Sequence, residues 1–384
     1  MGRAAFPYSA GDVEELVAEL VAIDSVNPAL VPGAAGEAEI ARFVAGWAED
    51  AGLAVEIVEP VPGRPSVVAT ARGEGGGRSL MLNAHLDTVG VAGMAGPYEP
   101  RVHDGRLRGR GSYDMKGGLA ACMLAAAAAA RGGLGGDVLL TAVCDEEHAS
   151  IGVQTVLERF RADACVVTEP TSLRVCVAHK GFAWWRITAR GRAAHGSRPD
   201  LGRDAIAGMG PVLTGLTELD RALEERVHPL VGRASVHASL IEGGQELSSY
   251  PERCVLEVER RTLPGETREA VEAELRGLVA RGEPGTLEGE VSLVREPFEV
   301  DPDEAIVAVL RRQASTVLGR EPEVVGETPW MDAAFTSAAG VPTVVFGPHG
   351  AGAHAAEEWV DLASVRACAQ VLLALATEFC DAPP

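Results

Sequence analysis

The chain has 384 residues, of which 47% are hydrophobic and 23% are charged, and its formal net charge is −21 at pH 7. This composition is typical of a soluble globular protein, and the length allows two or three domains. The negative charge argues against nucleic acid and against an anionic membrane surface as partners. Because no uninterrupted run of about 18 apolar residues occurs, we expect no membrane-spanning helix.

Seven cysteines are scattered along the chain, and none of them forms a C-x-x-C pair. The odd count and the wide spacing argue against a disulfide framework and favour a reducing compartment. The N-terminal residues contain no continuous apolar core of the signal-peptide type. We therefore expect a cytoplasmic protein.

The first part of the chain alternates helical and extended patterns. Apolar residues at helical spacing predict helices over residues 9–23 and 37–51. Short apolar runs predict strands over residues 55–58 and 66–71, followed by a glycine-rich turn at residues 73–77. This turn is not a phosphate loop, because no Lys-Ser/Thr follows it and no helix opens there.

The next predicted strand begins at Leu80 and leads into His85 and Asp87. Residues two apart in an extended chain point the same way, so His85 and Asp87 would leave the strand on one side. This arrangement suits a metal-binding histidine whose other ring nitrogen is held by a carboxylate. Taken alone, such a pair is more often structural.

Three further apolar strands are each followed by an acidic residue or a histidine. They are residues 137–144 before Glu146 and Glu147, residues 164–167 before Glu169, and residues 341–346 before His354. Helical segments between several of these strands predict a largely parallel α/β sheet, and such sheets bind ligands outside the carboxyl ends of their strands. A single acidic residue after a strand usually lies in a solvated turn. Four strands that each lead into such a residue or a histidine at one edge indicate a functional site.

A glycine-rich segment, GRGSYDMKGG, carries Asp114 and precedes an alanine-rich helix predicted over residues 119–130. Glycine allows the backbone to approach a ligand closely, which would make Asp114 a ligand residue. The alternative is that Asp114 lies near the N-terminal cap of the helix. The residue types alone leave both interpretations open.

These side chains form a donor set of imidazoles and carboxylates without thiolate, which suits zinc, manganese or cobalt. The set comprises His85, Asp114, Glu146, Glu147, Glu169 and His354. One zinc ion needs only three protein ligands and a water molecule. The set therefore suits two ions, with one carboxylate shared and another left over as a base.

The sequence resembles the metallopeptidase and amidohydrolase family that includes acetylornithine deacetylase, succinyl-diaminopimelate desuccinylase, aminoacylase and glutamate carboxypeptidase. The resemblance covers essentially the whole chain. It rests on the order and spacing of NAHLDTV, GRGSYDMKGG, DEEHASIG, VTEPT, GRAAHGSRPD, RRTLPGE and GPHGAGAHAAEEW. The implied fold is a mostly parallel α/β sheet flanked by helices, with an inserted α+β domain that serves as lid and dimerisation domain.

The resemblance implies a dinuclear site with one shared ligand. Asp114 would bridge two divalent ions, with His85 and Glu169 completing one site and Glu147 and His354 completing the other. Zinc is the first expectation for both ions, with cobalt or manganese as alternatives.

The resemblance also implies roles for two neighbouring carboxylates. Glu146 would be the general base, and Asp87 would orient His85. The peptide bond after Asp114 is often cis in relatives.

The pattern changes to an α+β arrangement between about residues 178 and 291. Strands are predicted over residues 182–190, 234–241 and 254–259, and helices over residues 204–226 and 267–280. We assign residues 179–291 to the inserted lid and dimerisation domain, and residues 1–178 and 292–384 to the catalytic metal-binding domain. A helix is predicted over residues 306–318 in the latter.

The inserted domain carries two further candidate site residues. An isolated histidine is more often structural, but the resemblance implies that His195 stabilises an oxyanion in the neighbouring subunit of a homodimer. Arg261 matches the family arginine that contacts the substrate carboxylate, a task suited to a guanidinium; a surface salt bridge is the alternative.

Three positions depart from the family pattern. Ser248 stands where many relatives have asparagine. Trp330 and Met331 stand where smaller residues are common, which indicates an altered substrate pocket.

We expect a metal-dependent amidohydrolase that cleaves the amide bond of an N-acyl amino acid through a metal-bridging water. A dipeptidase or carboxypeptidase of the same family stays an alternative, because it also cleaves an amide beside a free carboxylate. An inactive binding protein on the same fold is disfavoured, because every ligand position is intact. Serine-hydrolase and H-E-x-x-H signatures do not occur in the sequence.

Overall fold

The structure, a computed structural model, describes residues 6–383. The described chain forms two compact units. The first contains the residues up to Val177, Val300–Val325 and the residues from Met331 onward, and the second contains Ala178–Glu299 and Gly326–Trp330. The second unit is therefore inserted into the sequence of the first.

A mixed sheet with four parallel central strands forms the middle of the first unit. These strands are, in spatial order, Val138–Val143, Leu80–His85, Ala164–Val167 and Thr343–Val345. Antiparallel strands continue the sheet, with Arg64–Ala71 and Ala54–Val61 on one side and Val175–His179 on the other. The four central strands are buried along their whole length, as parallel strands covered by helices must be. The predicted fold class is confirmed, and the four predicted strand ends meet at one edge.

Helices flank this sheet. They are Ala10–Ala22, Ala38–Asp50, Gly117–Ala130, Ile151–Arg159, Ala305–Leu318, Ala333–Ala338 and Leu362–Phe379, with a short irregular turn at Ser112–Lys116. The first helix begins after Ser9, whose hydroxyl accepts from the Asp12 N–H while the Asp12 carboxylate accepts from the Ser9 N–H. This reciprocal cap fixes the start of the helix, and the helical period buries its apolar face.

The last helix, Leu362–Phe379, is by length and mean hydropathy apolar enough to cross a membrane. This helix is not predicted from the sequence, because Arg366 and Glu378 interrupt the apolar run. Half of the helix is buried inside the structure, where it packs against Gly117–Ala130 and Ala305–Leu318. Such burial is typical of a core helix in a soluble protein.

A small antiparallel sheet joins two distant parts of the first unit. Its strands are, in spatial order, Gly350–Ala351, Trp359–Asp361, Arg106–Arg108 and Arg101–His103. Strands of two or three residues show no period in a sequence, so they were not predicted. The sheet brings the segment before Asp114 beside the segment after His354.

The glycines after Asp114 have a packing role that differs from the predicted one. A Cβ atom on Gly118 would lie 2.2 Å from the carbonyl oxygen of Thr168. Gly118 therefore allows the start of Gly117–Ala130 to pack closely against the backbone that carries Glu169. The close approach is between two parts of the chain, whereas the sequence suggested an approach to a ligand.

The second unit is a four-stranded antiparallel sheet with two helices. Its strands are, in spatial order, Ser235–Gly243, Arg253–Thr262, Gly181–Arg190 and Leu287–Arg295, and its helices are Ala205–Leu223 and Arg268–Val279. The remaining short strands are Val227–His228 with Gly232–Arg233, and Phe298–Glu299 and Val324–Glu327 where the chain passes between the units.

A single apolar core, which includes Trp185, Ile187 and Leu256, holds the second unit together. The strand Leu287–Arg295 was not predicted, because exposed polar side chains dominate its first half. It runs across the expected end of the inserted domain at residue 291.

Candidate metal centre

The first ligand group lies at the carboxyl ends of two central strands. His85 Nε2 is 3.1 Å from Asp114 Oδ1 and 3.6 Å from Glu169 Oε1. Burial opposes a charge on the imidazole, but the hydrogen bond with Asp114 and the charge of Glu169 raise the pKa of His85 well above its ordinary value. Burial also raises the pKa of the Glu169 carboxyl group. These three side chains converge closely enough to hold one metal ion.

The second ligand group shares Asp114 with the first. His354 Nε2 is 3.3 Å from Asp114 Oδ2 and 3.1 Å from Glu147 Oε2. Hydrogen bonds with these two carboxylates raise the pKa of His354 to about 10. Although desolvation raises the pKa of Asp114, the two imidazoles hold it well below the usual range. In each group the ligand atoms lie within 4.8 Å of one another.

The donor atoms and charges of this centre fit divalent cations. Glu147 Oε1 is buried and has no hydrogen-bond partner among residues 6–383, and a buried oxygen left in this state costs about 1–3 kcal/mol. Burial and the charge of Asp114 raise the pKa of Glu147, so these carboxylates favour compensating positive charge. Nitrogen and oxygen donors without thiolate suit zinc, cobalt or manganese. The residues therefore fit two ions that share Asp114.

Glu146 stands outside both ligand groups of the described chain. Burial raises the pKa of its carboxyl group well above the ordinary value, and the charges of Glu169 and Asp332 add to this effect. A carboxyl group with a raised pKa is suited to accept and return a proton near neutral pH. The peptide bond after Asp114 is cis, as the family resemblance implied.

Asp87 contacts residues of the candidate metal centre differently from the prediction. His85 Nδ1 lies 2.9 Å from the backbone carbonyl oxygen of Asp87, while the Asp87 carboxylate is 3.7 Å away. That carboxylate instead accepts hydrogen bonds from the N–H groups of Glu146, at 3.0 Å, and Glu147, at 3.1 Å. Asp87 thus orients His85 through its backbone and fixes the Glu146–Glu147 turn through its side chain.

A buried polar network behind this turn was not predicted. Asn27 Nδ2 donates to the carboxylates of Asp87, at 2.8 Å, and Asp145, at 3.0 Å. Arg64 donates to Asp145 at 2.8 Å and forms a two-pronged ion pair with the buried Glu37. Each of these polar residues is far along the chain from its partners. No spacing in the sequence therefore indicates the network.

His195 and Arg261 lie in the second unit, and their contacts are formed there. The exposed His195 places Nδ1 2.8 Å from Ser197 Oγ. Arg261 forms an ion pair with Glu259 at 3.0 Å, and its guanidinium lies 5.2 Å from the ring centroid of Phe182.

The positions noted as departures from the family also have defined surroundings. The carbonyl oxygen of Ser248 accepts a hydrogen bond of 2.6 Å from Gly196 N, directly after His195. Trp330 donates from its indole to the carbonyl oxygen of Glu296 at 3.0 Å, and Met331 is buried in the first unit.

The family model for peptidase family M20/M25/M40 matches residues 81–378. The chain belongs to this family, and the resemblance stated from the motifs is confirmed. It is accordingly a hydrolase that acts on amide or peptide bonds.

Curated relatives include enzymes that remove acyl groups from amines. An acetylornithine deacetylase of Vibrio atlanticus is 31% identical over 296 residues, which cover 74% of this chain and 77% of the relative. An N-formyl-4-amino-5-aminomethyl-2-methylpyrimidine deformylase of Halalkalibacterium halodurans is 27% identical over 405 residues, which cover 96% of this chain and 95% of the relative.

Solved structures of peptidases share the fold. A tripeptidase from Staphylococcus aureus has a TM-score of 0.79 at 20% identity, with 97% of this chain and 98% of that chain covered. An M20 family metallo-carboxypeptidase from Sulfolobus solfataricus has a TM-score of 0.77 at 17% identity, with coverages of 96% and 99%.

Proposed function

We propose that the protein is a dinuclear metal-dependent amidohydrolase that hydrolyses the amide bond of an N-acyl amino acid, as a deacetylase or desuccinylase does. One observation carries the proposal: a single partly buried carboxylate, Asp114, belongs to two ligand groups, and a further carboxyl group, Glu146, stands beside them. The curated relatives described above remove acetyl and formyl groups, which supports acyl removal over peptide cleavage.

Each ligand group would hold one divalent ion. When bound, such ions lower the pKa of a water molecule and polarise the substrate carbonyl. Glu146 accepts the proton of the attacking water and then delivers it to the nitrogen of the leaving amine. Asp87 keeps Glu146 in place, because its carboxylate accepts the backbone N–H of that residue.

For substrate binding we assign the carboxylate of the N-acyl amino acid to Arg261. A guanidinium binds a carboxylate through two parallel hydrogen bonds. Arg261 is partly exposed, which supports this use of its side chain, and the substrate carboxylate would replace that of Glu259, its present partner.

We propose zinc as the metal, with cobalt and manganese as the alternatives, and the cytoplasm as the location. The nitrogen and oxygen donors support this choice of metals. All seven cysteines are free and buried, which supports a reducing compartment.

We further propose a homodimer in which His195 of one subunit stabilises the oxyanion in the site of the other. Ser235–Gly243 is an edge strand of the second unit, and its Leu240 and Ile241 are 70% and 54% exposed. An exposed apolar edge strand is a surface that pairs readily with another strand. A two-fold axis would pair this strand with its own copy.

A substrate screen tests the proposed function. Zinc- and cobalt-loaded protein would be assayed for amine release from N-acetyl, N-succinyl and N-carbamoyl amino acids beside dipeptides. We expect a higher kcat/KM for an N-acyl amino acid than for any dipeptide. Activity confined to dipeptides would favour the peptidase alternative, and inactivity toward the whole panel would favour a binding protein on the same fold.

A further inference from the structure

Two buried charged residues of the first unit have no part in the proposed reaction. Glu358 and Arg110 are each 2% exposed, and Arg110 Nη1 lies 2.7 Å from Glu358 Oε2. Glu358 follows His354 by four residues, and Arg110 precedes Asp114 by four. Burying two charges is costly unless further hydrogen bonds satisfy them, so the remaining contacts of the pair indicate what it does.

The Glu358 carboxylate is satisfied by the backbone of the loop that carries Asp114. Its Oε1 accepts from the N–H groups of Tyr113 at 2.9 Å and Asp114 at 3.1 Å. Its Oε2 accepts from the N–H of Gly111 at 3.0 Å as well as from Arg110. Hydrogen bonds to an ionised carboxylate are stronger than neutral ones, so four of them fix this loop firmly.

Arg110 extends the same arrangement to the loop that carries His354. Its Nη2 donates to the carbonyl oxygen of Ala355 at 2.9 Å, directly after His354. The pairing of Trp359–Asp361 with Arg106–Arg108 joins the same two segments through their backbones. Side chains and backbone thus hold the two ligand-bearing loops together.

We propose that Glu358 is a positioning residue of the metal centre, which sets the place of Asp114 relative to His354. The inference rests on the proposed function, because it concerns bound divalent ions. Asp114 belongs to both ligand groups, so a shift of its backbone disturbs both ions. Glu358 acts through Asp114 and does not touch substrate.

A cobalt titration of metal-free Glu358→Gln tests this role. Glutamine keeps the shape of the side chain but replaces one carboxylate oxygen by an NH2 group. This group can only donate, and it would face either Arg110 or backbone N–H groups, which are donors as well. We expect the Kd for Co2+ to rise about 10–100-fold at both sites, with an altered cobalt absorption spectrum. The matched control is Glu357→Gln, which removes the same charge from an exposed neighbour and should titrate as the wild type does.

The outcomes separate this inference from the proposed function. Excess cobalt should restore much of the activity of Glu358→Gln, because the defect lies in metal binding. Wild-type affinity and spectrum in a folded Glu358→Gln would overturn the positioning role alone, whereas a wild type that binds no cobalt would overturn the proposed function together with it.

If Glu358→Gln does not fold without metal, Arg110→Lys is titrated in its place, because one ammonium cannot bind both Glu358 and the Ala355 carbonyl oxygen as the guanidinium does. Normal cobalt binding by that variant would then overturn the inference.

Discussion

Glu146 and Glu147 are adjacent in sequence, yet their surroundings give them different chemistry. Glu147 places one carboxylate oxygen 3.1 Å from His354 Nε2 and leaves the other buried without a hydrogen-bond partner in the described chain. Glu146 lies outside both ligand groups of the described chain. These differences support the assignment of one as ligand and the other as base.

Replacing each of the two glutamates by glutamine separates these roles. Glu146→Gln should keep both metal ions and lower kcat by about 10²–10⁴-fold, because it removes proton transfer and leaves coordination intact. Glu147→Gln should hold one of the ions more weakly. Metal content by elemental analysis, measured beside kcat, checks both. If Glu146→Gln loses metal while Glu147→Gln retains it, the two roles are reversed.

The candidate ligand residues at the strand ends could be predicted from the sequence, whereas the residues that support them could not. His85 ends an apolar strand, and Glu147 and Glu169 lie just after two others, so a local pattern indicates these residues. Asn27 and Glu358 act through hydrogen bonds to partners 60 or more positions away. A single polar residue of this kind resembles any other loop residue until the chain is folded.

Among the elements, the central parallel strands were predicted from their apolar runs and most of the longer helices from their helical period, although the helix Leu362–Phe379 was missed. The helix Ala10–Ala22 has both the helical period and its capping residues. The missed strands include short ones such as Trp359–Asp361 and ones whose exposed side chains hide the alternation, such as Leu287–Arg295. Their pairing depends on distant partners, which a local pattern cannot show.

The packing of Gly117–Ala130 against the backbone before Glu169 gives a prediction at this scale. Gly118→Ala should lower the free energy of unfolding by about 1–3 kcal/mol, because its Cβ would overlap the Thr168 carbonyl oxygen. Alanine alone would favour the helix by up to about 1 kcal/mol. Denaturant unfolding of the metal-free protein measures the difference.

The matched control is Gly46→Ala in the helix Ala38–Asp50, where an added Cβ meets nothing within 4 Å. It should raise the free energy of unfolding by about 0.5–1 kcal/mol. If both substitutions stabilise the protein, the close contact at Gly118 is not the constraint described here.

At the scale of the whole molecule, the proposed dimer makes each active site depend on two chains. If His195 acts across the dimer, His195→Ala and Glu146→Ala should each be nearly inactive alone. Co-expressed, they should form mixed dimers in which one of the two sites is intact. Random pairing makes half of the dimers mixed, so about a quarter of the wild-type activity should return.

The control for this experiment is co-expression of two tagged Glu146→Ala chains, which cannot rebuild a site. Purification through two different tags verifies that mixed dimers form. Verified mixed dimers of His195→Ala with Glu146→Ala that stay inactive would show that His195 does not act across subunits.

The central claim is that two divalent ions on a shared carboxylate make this chain an amide hydrolase. Its most direct test is the rate of amine release from an N-acyl amino acid as zinc or cobalt is added stepwise to chelator-treated protein. We expect no hydrolysis by the metal-free protein and a rate that rises until about two equivalents per chain are bound. Hydrolysis that proceeds equally well in the metal-free protein, or binding of two ions without hydrolysis of any N-acyl amino acid or peptide, would contradict it.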